Sequence, residues 1–255
     1  SDGSIVLFSS EAHGLVAGFP CLSQDGCPWA TAYVRDRNTQ TTRLLSLNSL
    51  GRPVERDVIP AGISGNGRVA VLRTGAPLLP DDMDSGFPRL YARDLETGIL
   101  WHLSRTAAGD DIPVRLSDFV GVSGDGCFVA FNAEPSVGVA LYDCTLRYAQ
   151  IVALNAIGSP ITITSDGRFI SYGARRLSAT GIEADAIVRF DREAGTEEVV
   201  AFQDGAVAAG ISDDGAVSVS IANPPGVRAH GALPAVPSAC EVVADCGGIT
   251  KTALD

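Results

Sequence analysis

Lysine is almost absent from this sequence. Lys251 is the single lysine among 19 basic residues, whereas 30 residues are acidic, and the formal net charge is −11. An acidic chain without basic clusters offers no attractive surface to the phosphates of nucleic acids or to anionic lipid headgroups, so we predict neither partner. The sequence also lacks an apolar run near the ~20 residues that a transmembrane helix needs, which predicts no membrane insertion.

The residues of common catalytic sites are scarce as well. Histidine occurs three times, at His13, His102 and His230, and these positions lie far apart in the chain. A Gly-x-Ser-x-Gly nucleophile motif, a phosphate-binding loop and a dinucleotide fingerprint are all missing. Sustained 3.6-residue periodicity is also missing, while 28 glycines and 14 prolines interrupt the chain. We therefore predict an all-β protein that is not an enzyme.

The chain instead contains a repeat with five copies. Each copy has a short turn carrying Asp-Gly or Asn-Gly, followed by an alternating, strand-like run. The five copies are SDGSIVLFSS from Ser1, SGNGRVAVL from Ser64, SGDGCFVAF from Ser123, TSDGRFISY from Thr164 and SDDGAVSVS from Ser212. Strand-like residues also precede the last four turns, so each of these turns joins two strands, which we call a and b.

A second hairpin, of strands c and d, follows each turn, and strand c ends at an aspartate. These aspartates are Asp36, Asp94, Asp143, Asp191 and Asp245. Repeats with a period of roughly 40–60 residues cannot bury their apolar faces alone, and four-stranded antiparallel sheets around a common axis form a β-propeller. We predict a single propeller domain over residues 1–255, with units near 1–57, 58–118, 119–159, 160–206 and 207–255.

These repeats resemble the TolB-like β-propeller family, relatives of the WD-repeat propellers. The Asp-Gly turn and its strand match best at residues 64–71 and 165–170, and the second hairpin matches best at 90–98 and 187–195. The resemblance covers nearly the whole chain. It implies a bladed propeller that usually binds partners and is not itself catalytic.

The first repeat starts directly at its turn, so its inner strand a is missing. Three explanations stay open: the sequence is the ordered or cloned part of a longer chain, further blades lie outside it, or a neighbouring molecule donates the strand. Strand donation would link subunits head to tail. A Pro- and Gly-rich insertion at 223–238 is predicted either to protrude and contact a partner or to form a flexible loop.

Three local disulfides are predicted from the positions of the six cysteines. The pairs are Cys21–Cys27, Cys127–Cys144 and Cys240–Cys246. Cys127 opens strand b of unit three and Cys144 closes strand c, so antiparallel pairing places them opposite each other. Local bridges indicate an oxidising compartment, and we predict a secreted, periplasmic or cell-surface protein. Six free thiols in a cytosolic protein are the alternative.

Asp81, Asp82 and Asp84 form the densest carboxylate cluster, in the b–c loop of unit two. A glycine-containing acidic loop can place oxygen ligands around Ca²⁺, although the spacing here is not that of an EF-hand. We consider a calcium site at these residues, with a solvated acidic loop as the alternative. The recurring aspartates at the ends of strand c are instead predicted to cap turns through backbone N–H groups.

The predicted function is that of a non-catalytic extracytoplasmic scaffold for protein binding or self-assembly. Two alternatives stay open. A glycan-binding propeller would use exposed aromatic residues, which otherwise pack between blades; the candidates are Trp29, Phe87, Tyr91 and Trp101. The other alternative is a propeller module of a hydrolase or lyase.

Overall fold

The computed structural model describes residues 3–12, 14–17, 28–82, 87–114, 120–134, 138–157, 160–202, 207–222, 226–230 and 249–251. Within these residues the chain forms strands, turns and bends, and none of them is helical. The prediction of an all-β fold is therefore confirmed.

The strands form five sheets, which follow one another along the chain as blades one to five. Blade one contains β1 (Ile5–Ser10), β2 (Thr31–Asp36) and β3 (Thr41–Leu44). Blade two contains β4 (Val58–Ile63), β5 (Val69–Thr74), β6 (Arg89–Asp94) and β7 (Leu100–His102). Blade three contains β8 (Val120–Val122), β9 (Phe128–Ala133), β10 (Gly138–Asp143) and β11 (Tyr148–Leu154). Blade four contains β12 (Thr162–Ile163), β13 (Phe169–Leu177), β14 (Glu183–Asp191) and β15 (Thr196–Phe202). Blade five contains β16 (Val207–Ile211), β17 (Ser218–Ala222), β18 (Gly226–His230) and β19 (Ile249–Lys251).

Within each sheet the strands lie in chain order. Neighbouring strands run antiparallel in blades one, two and four. Blade one has only three strands in the described residues, and β1 corresponds to strand b of the other blades. The predicted lack of strand a is thus confirmed. The third strand ends at the predicted aspartate in four blades, namely at Asp36, Asp94, Asp143 and Asp191.

Blade five differs from the prediction in two ways. Its third strand is Gly226–His230, which lies inside the segment 223–238 that we had interpreted as an inserted loop. Its fourth strand, Ile249–Lys251, pairs with the third in parallel, not antiparallel. The interpretation was wrong at 226–230. The prolines and glycines of this segment predict a loop, whereas the alternating Val227 and Ala229, which indicate a strand, form too short a pattern to oppose them. Asp245 lies outside the described residues.

The blades bury their apolar side chains against the adjacent blade. In blade two every residue of β5 and β6 is buried. One apolar cluster joins blades one and two and includes Ala32, Val34, Val58, Ala70 and Leu72. Another joins blades three and four and includes Val139, Leu141, Ile170, Tyr172 and Val188. The core therefore consists of layers between sheets, as expected when no sheet can cover its own apolar faces.

A recurrent contact links each Asp-Gly or Asn-Gly turn to the blade before it. The turn glycine packs against the first apolar residue after the turn of the preceding blade. The pairs are Gly67 with Ile5, Gly126 with Val69, Gly167 with Phe128, and Gly215 with Phe169. At Gly167, where φ is +75°, an added Cβ would lie 2.2 Å from Phe128 Cδ2. Glycine is therefore required there both by the backbone conformation and by the close approach.

The chain contacts divide the molecule into two compact units. One consists of Ser1–Ser117, Asp125–Cys127 and Tyr142–Gln150, and the other of Asp118–Gly124, Phe128–Leu141 and Ile151–Asp255. Blade three contributes to both. A single domain over residues 1–255 stays a prediction.

The glycine contact leads to a test by substitution. We expect Gly167→Ala to lower the free energy of unfolding by about 2–4 kcal/mol, because alanine adds strain at positive φ and overlaps Phe128. Gly195→Ala is the matched control: its φ is +66°, but nothing lies within 4 Å of an added Cβ. This variant should lose only about 1 kcal/mol in urea unfolding. Equal losses would contradict the packing role of Gly167.

Candidate functional site

The aspartates at the ends of the third strands cap the turns that follow. Asp94 Oδ1 accepts hydrogen bonds from the backbone N–H groups of Glu96 and Thr97, both at 2.9 Å. Asp191 makes the same pair of bonds two repeats later, and Arg168 Nη2 lies 2.8 Å from its Oδ2. The Arg168 hydrogen bond is the main cause that lowers the pKa of Asp191 to about 2. The capping prediction is confirmed for Asp36, Asp94, Asp143 and Asp191.

Asp82 is buried and its carboxylate is fully engaged by protein donors. Oδ2 accepts from the backbone N–H of Leu78 and Leu79, at 3.2 and 2.9 Å, and from the hydroxyl of Tyr91 at 2.7 Å. Oδ1 accepts from Arg105 Nη2 at 2.8 Å. The side chain is 0% exposed. Asp82 thus ties the b–c loop of blade two to its third strand.

The other two residues of the predicted calcium site are placed differently. The side chain of Asp81 is 72% exposed, and its Oδ2 lies 3.2 Å from Arg105 Nη1. Asp84 lies outside the described residues. Calcium binding at this loop stays a prediction.

A second layer of charged residues lies beside Asp82 and escaped the sequence analysis. Arg89 is almost fully buried and donates from Nε to Asp111 Oδ2 at 2.6 Å. Asp111 Oδ1 lies 3.6 Å from Arg105 Nε and 3.5 Å from His102 Nε2. The one available signal was the presence of Arg89 and His102 in predicted strands next to apolar residues. Because single charged residues also occur on exposed strand faces, the sequence could not identify this network.

His102 is buried in this network and is neutral at ordinary pH. Its side chain is 4% exposed, and its ring packs edge-on against Tyr91 at a centroid distance of 4.9 Å. Burial is the largest cause that lowers the pKa of His102 to about 4, and the positive charge of Arg105 acts in the same direction. Asp82 and Asp111 oppose this shift but do not outweigh burial.

One of the three predicted disulfides lies within the described residues. Cys127 and Cys144 are bonded, with their Cα atoms 4.9 Å apart, and the backbone N–H of Cys144 donates to the carbonyl of Cys127 at 3.0 Å. This pairing is confirmed. Four cysteines lie outside the described residues: Cys21, Cys27, Cys240 and Cys246.

The four aromatic residues that were predicted as possible ligand contacts differ in their exposure. Tyr91 is fully buried and belongs to the blade-two core, whereas Phe87 is 61% exposed. Trp29 and Trp101 are half-buried, and the indole N–H of Trp29 has no hydrogen-bond partner in the described part of the chain. Packing within blade two therefore accounts for Tyr91 but not for Phe87.

Strand β1 has a free edge. It pairs with β2 on one side, and no described strand pairs with it on the other. Its counterparts β5, β9, β13 and β17 are each covered there by an inner strand. Val6 of β1 is 41% exposed.

In the part of the chain that the structure describes, no helical segment has the length and hydrophobicity of a membrane span.

Several solved structures share this arrangement of blades. TolB from Acinetobacter baumannii gives a TM-score of 0.51 at 14% identity, over 78% of this chain and 45% of that chain. A protein of Agrobacterium tumefaciens assigned as TolB gives 0.50 at 14% identity, over 84% of this chain and 68% of its own. The chain has the fold of a TolB-like β-propeller. A third structure is the propeller domain of the Trilobed protease from Pyrococcus furiosus, which is described as having an open velcro topology. It gives a TM-score of 0.58 at 10% identity, over 89% of this chain and 65% of that chain.

These similarities confirm the predicted fold and concern the fold alone. The chain spans 45% of the length of the Acinetobacter TolB chain. No protein-family model matches it, and no curated protein matches it in sequence.

The buried histidine predicts a pH dependence of stability. Between pH 6.5 and 4 the unfolded chain protonates His102, whereas the folded chain keeps it neutral. Unfolding therefore takes up a proton, and the free energy of unfolding falls as the pH falls, by up to roughly 3 kcal/mol over this range. His102→Gln cannot titrate here and should remove this part of the dependence. Urea unfolding of both proteins at several pH values measures the free energy of unfolding as a function of pH. If this free energy falls equally in both proteins, His102 is not the group responsible.

The two neighbouring carboxylates should differ sharply in their contribution to stability. We expect Asp82→Asn to lower the free energy of unfolding by about 2–4 kcal/mol, because Arg105 loses its charged partner and an NH2 group that cannot accept hydrogen bonds replaces one buried oxygen. Asp81→Asn removes an exposed partner of the same arginine and should cost at most about 0.5 kcal/mol. Thermal and urea unfolding compare the two variants. A larger loss for Asp81→Asn would overturn the structural role given to Asp82.

Proposed function

We propose that this protein is a non-catalytic scaffold that binds an extended segment of another protein molecule along the free edge of β1. The observation that carries the proposal is the three-strand sheet of blade one, in which strand b forms the inner edge. An unpaired edge presents a row of N–H and C=O groups to which a further strand can bind.

The register identifies the groups that face the open edge. The N–H of Arg37 donates to the carbonyl of Ser4 at 2.8 Å, and Ile5 lies opposite Asp36. Since hydrogen bonding alternates along an antiparallel pair, the backbone groups of Ile5, Leu7 and Ser9 point away from β2. Three donors and three acceptors are thus available to an added strand.

The composition of β1 favours strand addition. Its sequence, IVLFSS, contains no charged residue and no proline, although these are the usual means by which natural edge strands avoid pairing. Ile5 and Leu7 pack against the apolar cluster between blades one and two, which holds the strand in place. Phe8 stacks on Tyr33 at 5.4 Å on the opposite face. The edge is therefore held rigid before a partner binds.

Further observations support the remaining parts of the proposal. The Trilobed protease propeller with its open velcro topology offers a precedent for a propeller with an unclosed edge. The Cys127–Cys144 bridge favours an extracytoplasmic location, because disulfides persist mainly in oxidising compartments. The described aspartates that recur at the ends of strand c are engaged in turn caps, which favours a non-catalytic role for them. The added strand can come from a partner protein or from a second copy of this chain.

Proline at the free edge provides the test. Ser9 is exposed and its N–H faces the open edge, so Ser9→Pro removes one donor there without breaking a bond to β2. Ser9→Ala keeps the donor and is the matched control. With a photo-crosslinking amino acid at Val6, we expect Ser9→Pro to reduce the yield of the crosslinked complex at least about tenfold and Ser9→Ala to leave it unchanged.

Two measurements decide which molecule supplies the added strand. Sedimentation velocity over a concentration series detects self-association, and mass spectrometry of the crosslinked peptide identifies a partner protein. The same photo-crosslinking residue at Leu177, which is 68% exposed and belongs to the other compact unit, controls for non-specific capture. Crosslinks that are equally strong at Leu177, or that Ser9→Pro leaves unchanged, would refute strand addition.

A further inference from the structure

A cleft of about 560 Å³ lies beside the outer strand of blade two, within the first compact unit. Its apolar wall includes Leu79, Ile99 and Trp101, and its polar wall includes His102, Tyr142 and Arg147. This volume falls within the range of about 300–1,000 Å³ that is usual for small-molecule sites, and an apolar wall with a few polar groups is typical of them.

The polar wall contains one charged group, Arg147, without a partner among the described residues. His102 has a side chain that is 4% exposed, and neither of its ring nitrogens has a hydrogen-bond partner among the described residues. Arg147 is exposed, and its guanidinium forms no hydrogen bond or ion pair in the part of the chain that the structure describes. A ligand in the cleft can therefore pair with Arg147, whereas the ring nitrogens of His102 are enclosed by the protein, with Asp111 Oδ1 3.5 Å from Nε2.

Arg147 occupies a turn position that glycine holds in two other blades. Arg147 has φ of +61° and follows Asp143 by four residues. At the same place in blades two and four stand Gly98 and Gly195, with φ of +76° and +66°. An arginine in this conformation is less stable than a glycine, because its Cβ lies too close to the following carbonyl oxygen. Blade one also carries a residue other than glycine there, Gln40 with φ of +56°, so the feature particular to blade three is the positive charge, which lies at the cleft.

The remaining charges of the cleft wall are already compensated. Arg105 is paired with Asp81 and Asp82, and its Nε lies 3.6 Å from Asp111. Asp94 is paired with Arg68 at 2.8 Å and caps its own turn. Arg147 is thus the uncompensated charge among the residues that line the cleft, so the site favours an anion. One guanidinium matches one carboxylate, which it can bind through two parallel hydrogen bonds.

We propose that this cleft binds a small organic monocarboxylate whose body is flat and partly apolar. The carboxylate pairs with Arg147, the body lies against Trp101 and Leu79, and the hydroxyl of Tyr142 forms a hydrogen bond with one of its polar groups. This function goes beyond strand binding at β1 and does not depend on it. Both aromatic acids and uronic acids fit this description.

Calorimetry and saturation-transfer NMR with phenylacetate and glucuronate test the proposal and distinguish an aromatic acid from a uronic acid as the ligand. Phenylacetamide and glucose are the uncharged controls. We expect at least one acid to bind saturably and its uncharged control to bind at least about tenfold more weakly, because the charge-assisted pair is lost. Binding of neither acid, or equal binding of acid and control, would overturn the proposal.

The variant Arg147→Gly provides the decisive comparison. It should weaken binding of the acid at least about tenfold while unfolding at the same or a higher urea concentration, because glycine relieves the positive φ. Gln40→Gly is the matched control, since Gln40 holds the corresponding position of blade one with φ of +56°. It should gain similar stability and leave binding unchanged. Unaltered binding in Arg147→Gly would refute the site, and unfolding data exclude loss of structure as the cause.

Discussion

Consecutive blades are held together by the fit of a turn glycine against one apolar side chain of the blade before it. The contact recurs at four places, although the side chain changes from Ile5 and Val69 to Phe128 and Phe169. Because the glycine lacks a Cβ, the turn backbone can lie directly on the apolar surface. Arg192 covers Phe128 at 4.1 Å from the ring centroid, so the aromatic ring is enclosed by a cation as well as by the turn. The spacing of blades within each compact unit depends on this close approach.

The same repeat explains how much of the fold could be predicted. A turn with Asp-Gly or Asn-Gly has few conformations, and an aspartate at a strand end has few roles, so Asp94 and Asp191 were recognised as caps from position alone. Blade five was predicted less well because local composition and pairing disagree there. The strand Gly226–His230 pairs with Ser218–Ala222 despite the prolines that precede it, and this tertiary pairing was invisible in the sequence.

The candidate sites could be predicted only in part, for a different physical reason. The loop of Asp81 and Asp82 was found by charge density, but charge density cannot distinguish a ligand site from a carboxylate that accepts four protein hydrogen bonds. The cleft was missed because its residues come from separate parts of the chain, such as Trp101 and Arg147. The open edge of β1 was found because counting strands requires no knowledge of side-chain contacts.

The bridge between Cys127 and Cys144 has a mechanical consequence. It joins the residue before β9 to the residue after β10, so the hairpin between them forms a closed covalent loop. A pulling force applied along the chain passes through the sulfur atoms and bypasses that hairpin. The separation of 17 residues corresponds to roughly 55 Å of contour length that stretching cannot release until the bridge is reduced. A scaffold under tension in an oxidising environment would therefore extend less than its length suggests, and reduction would lengthen it in one step.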